Sequence, residues 1–137
     1  MNLIIHTDGG SRGNPGTAGI GINVMDEAQN TVFEASQLLG TATNNEAEYT
    51  AFKVSLEWLL PYSQQNQVDQ VTWQLDSKLV VEQLNKQWKI KEPRMSEYAH
   101  QIWSLLEQLP FPYSIQHVRR EFNKRADELA NQAMDLA

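Results

Sequence analysis

Asn2-Leu3-Ile4-Ile5-His6-Thr7-Asp8-Gly9-Gly10 opens the chain, and the rest is read outward from it. An apolar run around Leu3, Ile4 and Ile5 that meets a glycine pair has the form of a buried strand ending in a loop, with Asp8 at its end. Thr17 to Met25 and Thr31 to Leu39 are two further strand candidates, and the polar Asp26 to Asn30 turn between them makes a hairpin. From Asn44 to Leu60 the pattern becomes helical, and Pro61 is expected to stop it. Val68 to Leu75 forms a fourth strand, followed directly by a helix from Lys78 to about Lys86. A second helix runs from about Arg94 to Leu109, bounded by Pro93 and Pro110. Tyr113 to Val118 is the last strand and Lys124 to Leu136 the last helix. There is no internal repeat, low-complexity tract or linker.

Strands joined by short turns should be antiparallel. Strands separated by helices should join them in parallel through right-handed crossovers. The expected class is therefore α/β: a mixed five-stranded sheet, three antiparallel strands then two parallel, with helices on both faces and residues 1–137 forming a single domain. In such sheets, sites form at the carboxyl ends of the strands.

Size and composition agree with one compact domain. The 137 residues are 41% hydrophobic, with four each of Trp, Tyr and Phe, enough to bury a core. The absence of cysteine excludes disulfides, thiol nucleophiles and zinc–thiolate sites. No stretch approaches membrane-spanning length and Met1 to Thr7 lacks a signal-peptide pattern, so a cytoplasmic, monomeric protein is expected. The net charge of −6 argues at first against a polyanionic partner. Eight of the eleven basic residues nevertheless fall in two short stretches. One holds Lys86, Lys89, Lys91 and Arg94; the other holds Arg119, Arg120, Lys124 and Arg125.

Two aspartates occupy the carboxyl edge by sequence logic alone. Asp8 ends the first strand, and Asp76 ends the fourth just before Ser77, a natural helix N-cap. The third acid is one of two in Thr43-Asn44-Asn45-Glu46-Ala47-Glu48. Thr43 and Glu46 have the spacing of a capping box, in which the Glu side chain reaches back to the cap residue's N–H. Glu46 is in phase with Thr50, Lys53 and Glu57, which marks it as structural and exposed. Glu48 is in phase with Ala51, Phe52, Ser55 and Leu59, the stripe that must face the sheet. A carboxylate on the buried side is costly unless something positive meets it, so Glu48 is the functional candidate. Asp127 follows Asn123, a candidate N-cap, on a helix held to the body by Leu129, Ala130 and Ala133. Alone, Asp127 would be an acid favoured by the helix dipole, worth about 0.3–1 kcal/mol. Four carboxylates converging on one crevice must hold protons or cations. With no His or Cys beside them, oxygen ligation suits a hard ion, Mg²⁺ or Mn²⁺. A pair of such ions roughly 3.5–4 Å apart forms a clamp for in-line phosphoryl displacement.

The motifs Thr7-Asp8-Gly9-Gly10-Ser11-Arg12-Gly13-Asn14-Pro15-Gly16, Thr43 to Glu48, Asp76-Ser77 and Asn123 to Ala130 closely resemble, in order and spacing, the type 1 ribonuclease H family. The resemblance implies an endonuclease that hydrolyses the RNA strand of RNA–DNA hybrids, leaving 5′-phosphate and 3′-hydroxyl ends. It implies two Mg²⁺ ions held by Asp8, Glu48, Asp76 and Asp127. By the same matching, Asn14, Asn44 and Asn45 read the hybrid's minor groove, and backbone around Gly9 and Ser11 helps detect RNA 2′-hydroxyls. Thr43 resembles a DNA-phosphate contact. Two places depart from the family pattern. The loop before the last helix carries no His; His117 reads as strand, and Arg120 stands in, able to steady a phosphate but not to shuttle a proton. The basic protrusion of some members is reduced to Lys86 to Arg94, where Trp88 is the aromatic expected to touch substrate. Trp58, Trp73 and Trp103 read as core and His6 as a packed histidine. Weaker hybrid binding with steep salt dependence is expected. Three rival readings are disfavoured. A binding module gains nothing from buried charge repulsion, a four-carboxylate exonuclease has another motif order, and a two-lobed ATPase needs a longer chain.

Overall fold

A computed structural model describes residues 1–137. The elements are β1 (Asn2–Gly13), β2 (Gly16–Asp26), β3 (Thr31–Ala42), α1 (Asn44–Gln65), β4 (Gln70–Leu75), α2 (Lys78–Leu84), α3 (Pro93–Leu106), β5 (Tyr113–His117) and α4 (Lys124–Asp135), with a single 3₁₀ turn at Arg120–Phe122. The sheet order is β3-β2-β1-β4-β5. β1–β2 and β2–β3 pair antiparallel, whereas β1–β4 and β4–β5 pair parallel. The expected α/β class and mixed five-stranded sheet are what the chain adopts.

Sequence periodicity divides the two faces. On one face, Leu3, Ile5, Ile22, Val24, Val71, Trp73 and Leu75 join Phe52, Leu56 and Leu59 of α1 and the apolar residues of α2 and α3 in one core. Trp73, fully buried, donates its indole N–H to Ser55 Oγ at 2.9 Å, which explains a serine in the buried stripe of α1. On the other face lies α4, with Ala126, Leu129, Ala130 and Ala133 buried. It packs closely because β2 offers glycines beneath it. A Cβ on Gly21 would lie 2.0 Å from the Ala126 carbonyl oxygen, and one on Gly19 2.8 Å from that of Ala130.

Three local expectations are corrected. Gly9-Gly10 does not end the first strand; β1 continues to Gly13, paired with β2 as far as Gly16. At Gly9 the signal reflects close approach of a helix, α1, to the strand rather than a loop. Pro61 does not stop α1, which runs on to Gln65. The proline removes the N–H partner of the Glu57 carbonyl, but Glu57 is exposed and water can take that place. Helix α3 ends at Leu106, short of Leu109. Trp58 and Trp103 are only partly buried, packed at the edge of the core.

The glycine contacts yield a test. Gly21→Ala should destabilise the fold by about 3 kcal/mol or more, because the added methyl meets helix backbone that cannot turn aside. Gly10→Ala, whose Cβ meets only Met134 Cε at 3.6 Å, should cost less than about 1 kcal/mol. Urea unfolding of the two variants checks the contrast.

Candidate active site

The parallel pairing of β1 with β4 ends at Thr7 opposite Leu75, so Asp8, inside β1 rather than at its end as expected, and Asp76, just past β4, stand at the same level of the sheet. Helix α1 begins beside them. Its capping box forms as expected: Glu46 N–H donates to Thr43 Oγ1 at 3.1 Å, and Thr43 N–H donates to Glu46 Oε1 at 3.2 Å. Gly9 lets that first turn sit against β1, since a Cβ there would come within 2.3 Å of the Ala47 carbonyl. Glu48 is thereby pressed inward. Its Oε1 accepts the Gly9 N–H at 3.2 Å, and its Oε2 is buried with no partner. Carboxylate oxygens of Asp8, Glu48 and Asp76 all lie within 4.8 Å of one another.

Asp127 stands outside this tight trio but lines the same crevice, of 570 Å³. Gly9, Ser11, Asn44, Asn45 and Arg120, all singled out from sequence, line it too. Asn14 is exposed and outside the lining: its Oδ1 accepts the Asn44 N–H at 3.1 Å, and Asn44 Oδ1 in turn accepts the Ser11 N–H at 2.8 Å. Thr43 is not part of the lining, its hydroxyl being engaged as a cap. Trp88, 44% exposed, lies on a separate cleft with Lys86, Lys89 and Trp103. His117 is the exposed last residue of β5, and His6 is half-buried against Gln74 at 2.8 Å, both as expected.

Glu46 is structural as expected, but it is buried rather than exposed. Folding back to close the capping box brings it against its own helix, and Arg94 at the start of α3 meets its Oε2 at 3.3 Å. Asn123 occupies the N-cap position of α4 without capping through its side chain. It is buried, and its Nδ2 donates to the Thr7 carbonyl at 3.0 Å, tying the start of α4 to the residue before Asp8.

Burial and crowding together govern the ionisation of Asp8 and Glu48. Burial, then the charge of Asp76, pushes the Asp8 carboxyl up to about 7 from an ordinary 3.8. Burial, then the charge of Asp8, raises Glu48 well above its usual range. No cationic side chain contacts these oxygens. The all-carboxylate donor set, with the buried Glu48 Oε2 left without a partner, fits a hard divalent cation.

The family described as reverse transcriptase-like matches residues 6–133. A ribonuclease H of Hydrogenovibrio crunogenus is 31% identical over 147 residues, covering 96% of this chain and 94% of that protein. The chain belongs to the ribonuclease HI family. A bifunctional protein of Mycobacterium tuberculosis is 40% identical over all of this chain, which spans only 36% of that protein's length. Among solved structures, LC11-RNase H1, isolated from compost, was determined in complex with an RNA/DNA hybrid. It superposes with a TM-score of 0.91 at 42% identity, covering 98% of this chain and 97% of that one.

Sequence reasoning missed one polar residue of this ribonuclease H crevice beside Asp127. Asn131 lines it and donates from Nδ2 to the Asp127 carbonyl at 3.0 Å and to Asp127 Oδ1 at 3.3 Å. The available signal was its i+4 spacing from Asp127.

The raised carboxyls set a pH dependence for the metal-free protein. Because the folded state holds protons that the unfolded chain would release, their contribution to stability is full below about pH 4. For Asp8 it is lost as pH climbs through about 7. Asp8→Asn should therefore leave the melting temperature near that of the parent at pH 5 and raise it at pH 8. Thermal melts in EDTA at both pH values check this, and an equal effect at both would contradict it.

Proposed function

We propose that this chain is a metal-dependent endoribonuclease that hydrolyses the RNA strand of RNA–DNA hybrids, leaving 5′-phosphate and 3′-hydroxyl ends. The observation that carries the reading is the trio of crowded carboxylates at the edge of β1, β4 and α1, with Asp127 across the crevice. Support also comes from the hybrid-bound LC11-RNase H1, whose sequence is 42% identical over nearly the whole chain. The reading assigns residues 1–137 to one domain acting as a monomer in the cytoplasm, since a single chain provides all four carboxylates.

In this reading Asp8, Glu48, Asp76 and Asp127 hold two Mg²⁺ ions, Mn²⁺ being an alternative. When bound, such a pair supplies Lewis acidity to both the attacking and the departing oxygen. The chain's own residues do the rest. Gly9 N–H holds one oxygen of Glu48 and leaves the other without a protein partner, free to ligate. Asn123 fixes the spacing between β1 and α4, and with it the gap between Asp8 and Asp127. Asn14, Asn44 and Asn45 face the minor groove. The acceptor oxygens of Asn14 and Asn44 are occupied within the protein, which turns their NH₂ donors to base-edge acceptors. Gly9 and Ser11 place backbone against the RNA 2′-hydroxyls, the groups that separate RNA from DNA. Thr43 contacts a DNA phosphate in addition to capping α1, Arg120 steadies a phosphate near the scissile bond, and Trp88 lies along the DNA strand.

The test is a gel assay with an end-labelled RNA strand paired to DNA or to RNA, in Mg²⁺, Mn²⁺ or EDTA. Cleavage of the DNA-paired strand with divalent metal, and none in EDTA, is the expected result. Asp8→Asn and Asp76→Asn should each lower the rate by about 10²–10³-fold or more, while Glu46→Gln, which preserves the capping box, should leave cleavage largely intact. Activity lost in Glu46→Gln but kept in Glu48→Gln would reverse the assignment of the two glutamates. Binding should weaken steeply with salt; a salt-insensitive constant would count against hybrid recognition.

A further inference from the structure

The crevice extends beyond the carboxylates along the inner face of α4, where Asp127, Ala130, Asn131 and Met134 recur at helical spacing. At its far end stands Arg12, the only cationic side chain of the lining besides Arg120. Arg12 is well fixed. It lies on β1, paired with Thr17, two residues from a tight return in which Gly16 packs beneath its own carbonyl; a Cβ on Gly16 would fall 2.3 Å from that oxygen. It shares a strand face with Asp8 and Gly10, and four residues of strand rise place it about 13 Å from Asp8. Its guanidinium NH2 is held by Asp135 Oδ1 at 2.5 Å, from the last turn of α4, with both side chains about half exposed.

We infer that Arg12 is a second phosphate anchor of the crevice, gripping a backbone phosphate of the hybrid away from the scissile one, and that Asp135 is its built-in competitor. The inference rests on the hybrid-nuclease reading and deepens it. A crevice walled by four acids repels a polyanion, so a cation at the far end of the same lining is where a neighbouring phosphate gains most. An exposed ion pair adds little to stability, so the Arg12–Asp135 contact is poorly explained by folding alone. The partner carboxylate keeps the guanidinium extended over the crevice when no substrate is bound. An arriving phosphate offers the same forked acceptor and displaces it.

The two roles predict opposite outcomes. Were the pair merely a strut, Arg12→Ala and Asp135→Asn would act alike, since each breaks the same bond. As anchor and competitor they diverge. Binding is read by fluorescence anisotropy of a labelled RNA–DNA hybrid in EDTA, which keeps the strand whole, over a series of KCl concentrations. Arg12→Ala should weaken binding about three- to tenfold and reduce the slope of log K against log[KCl] by about 1. Asp135→Asn should tighten binding about two- to threefold, and the double variant should resemble Arg12→Ala. Melting temperatures should fall equally and slightly in both single variants. Affinity moving the same way in both, or an unchanged salt slope in Arg12→Ala, would overturn the inference while leaving the nuclease reading intact. A parent chain that binds hybrid normally but cleaves none in Mg²⁺ would sink the nuclease reading instead, and one that binds no hybrid would sink both.

Discussion

Backbone meets backbone where the first turn of α1 crosses β1, and the site depends on that approach. Gly9 has no Cβ, and the space a methyl would need is taken by the Ala47 peptide. The helix can therefore begin directly over the strand, and the second residue after the box-closing Glu46 is driven between β1 and β4. Glu48 is buried because of this geometry, and it is then crowded by Asp8 and Asp76 because the β1–β4 pairing ends at Thr7 and Leu75, the residues just before them. Two acids that would each prefer water, Asp8 and Glu48, are held out of it beside a third, Asp76, that is only partly buried. The protein carries that electrostatic burden in its metal-free state, with protons retained on Asp8 and Glu48 as the partial remedy.

Around that contact, the remaining polar bonds mostly set distances. Asn123 reaches across to Thr7, Asn131 steadies Asp127, and the relay from Asn14 through Asn44 to Ser11 fixes the mouth of the glycine-rich hairpin to the start of α1. Each joins segments far apart in the chain, except Asn131, which acts within one helix. The crevice is thus a rigid object built by sheet register and helix packing, onto which side chains of ordinary chemistry are mounted.

Much of this was legible in the sequence because it follows from local periodicity. The order of strands and helices, the capping box at Thr43, the phase of Glu48 with Phe52 and the serine before α2 are all nearest-neighbour or one-turn properties. The rest depends on partners far along the chain. Gly9-Gly10 reads as a loop because glycine ordinarily marks turns, and only the helices lying on it reveal that β1 continues to Gly13. Glu46 falls on a polar stripe, yet Arg94 from another helix covers it. Pro61 is tolerated because the carbonyl it orphans faces solvent, a fact of burial and not of pattern. Asn123 has the composition of a cap, but the buried Thr7 carbonyl, 116 residues earlier, is where its side chain donates.

That last bond also orders events in time. Synthesis delivers Asp8, Glu48 and Asp76 early, while the segment from Asn123 to Asp127 emerges only after every strand has been made. A growing or prematurely stopped chain can therefore display three acids without the fourth and without the strut that spaces them.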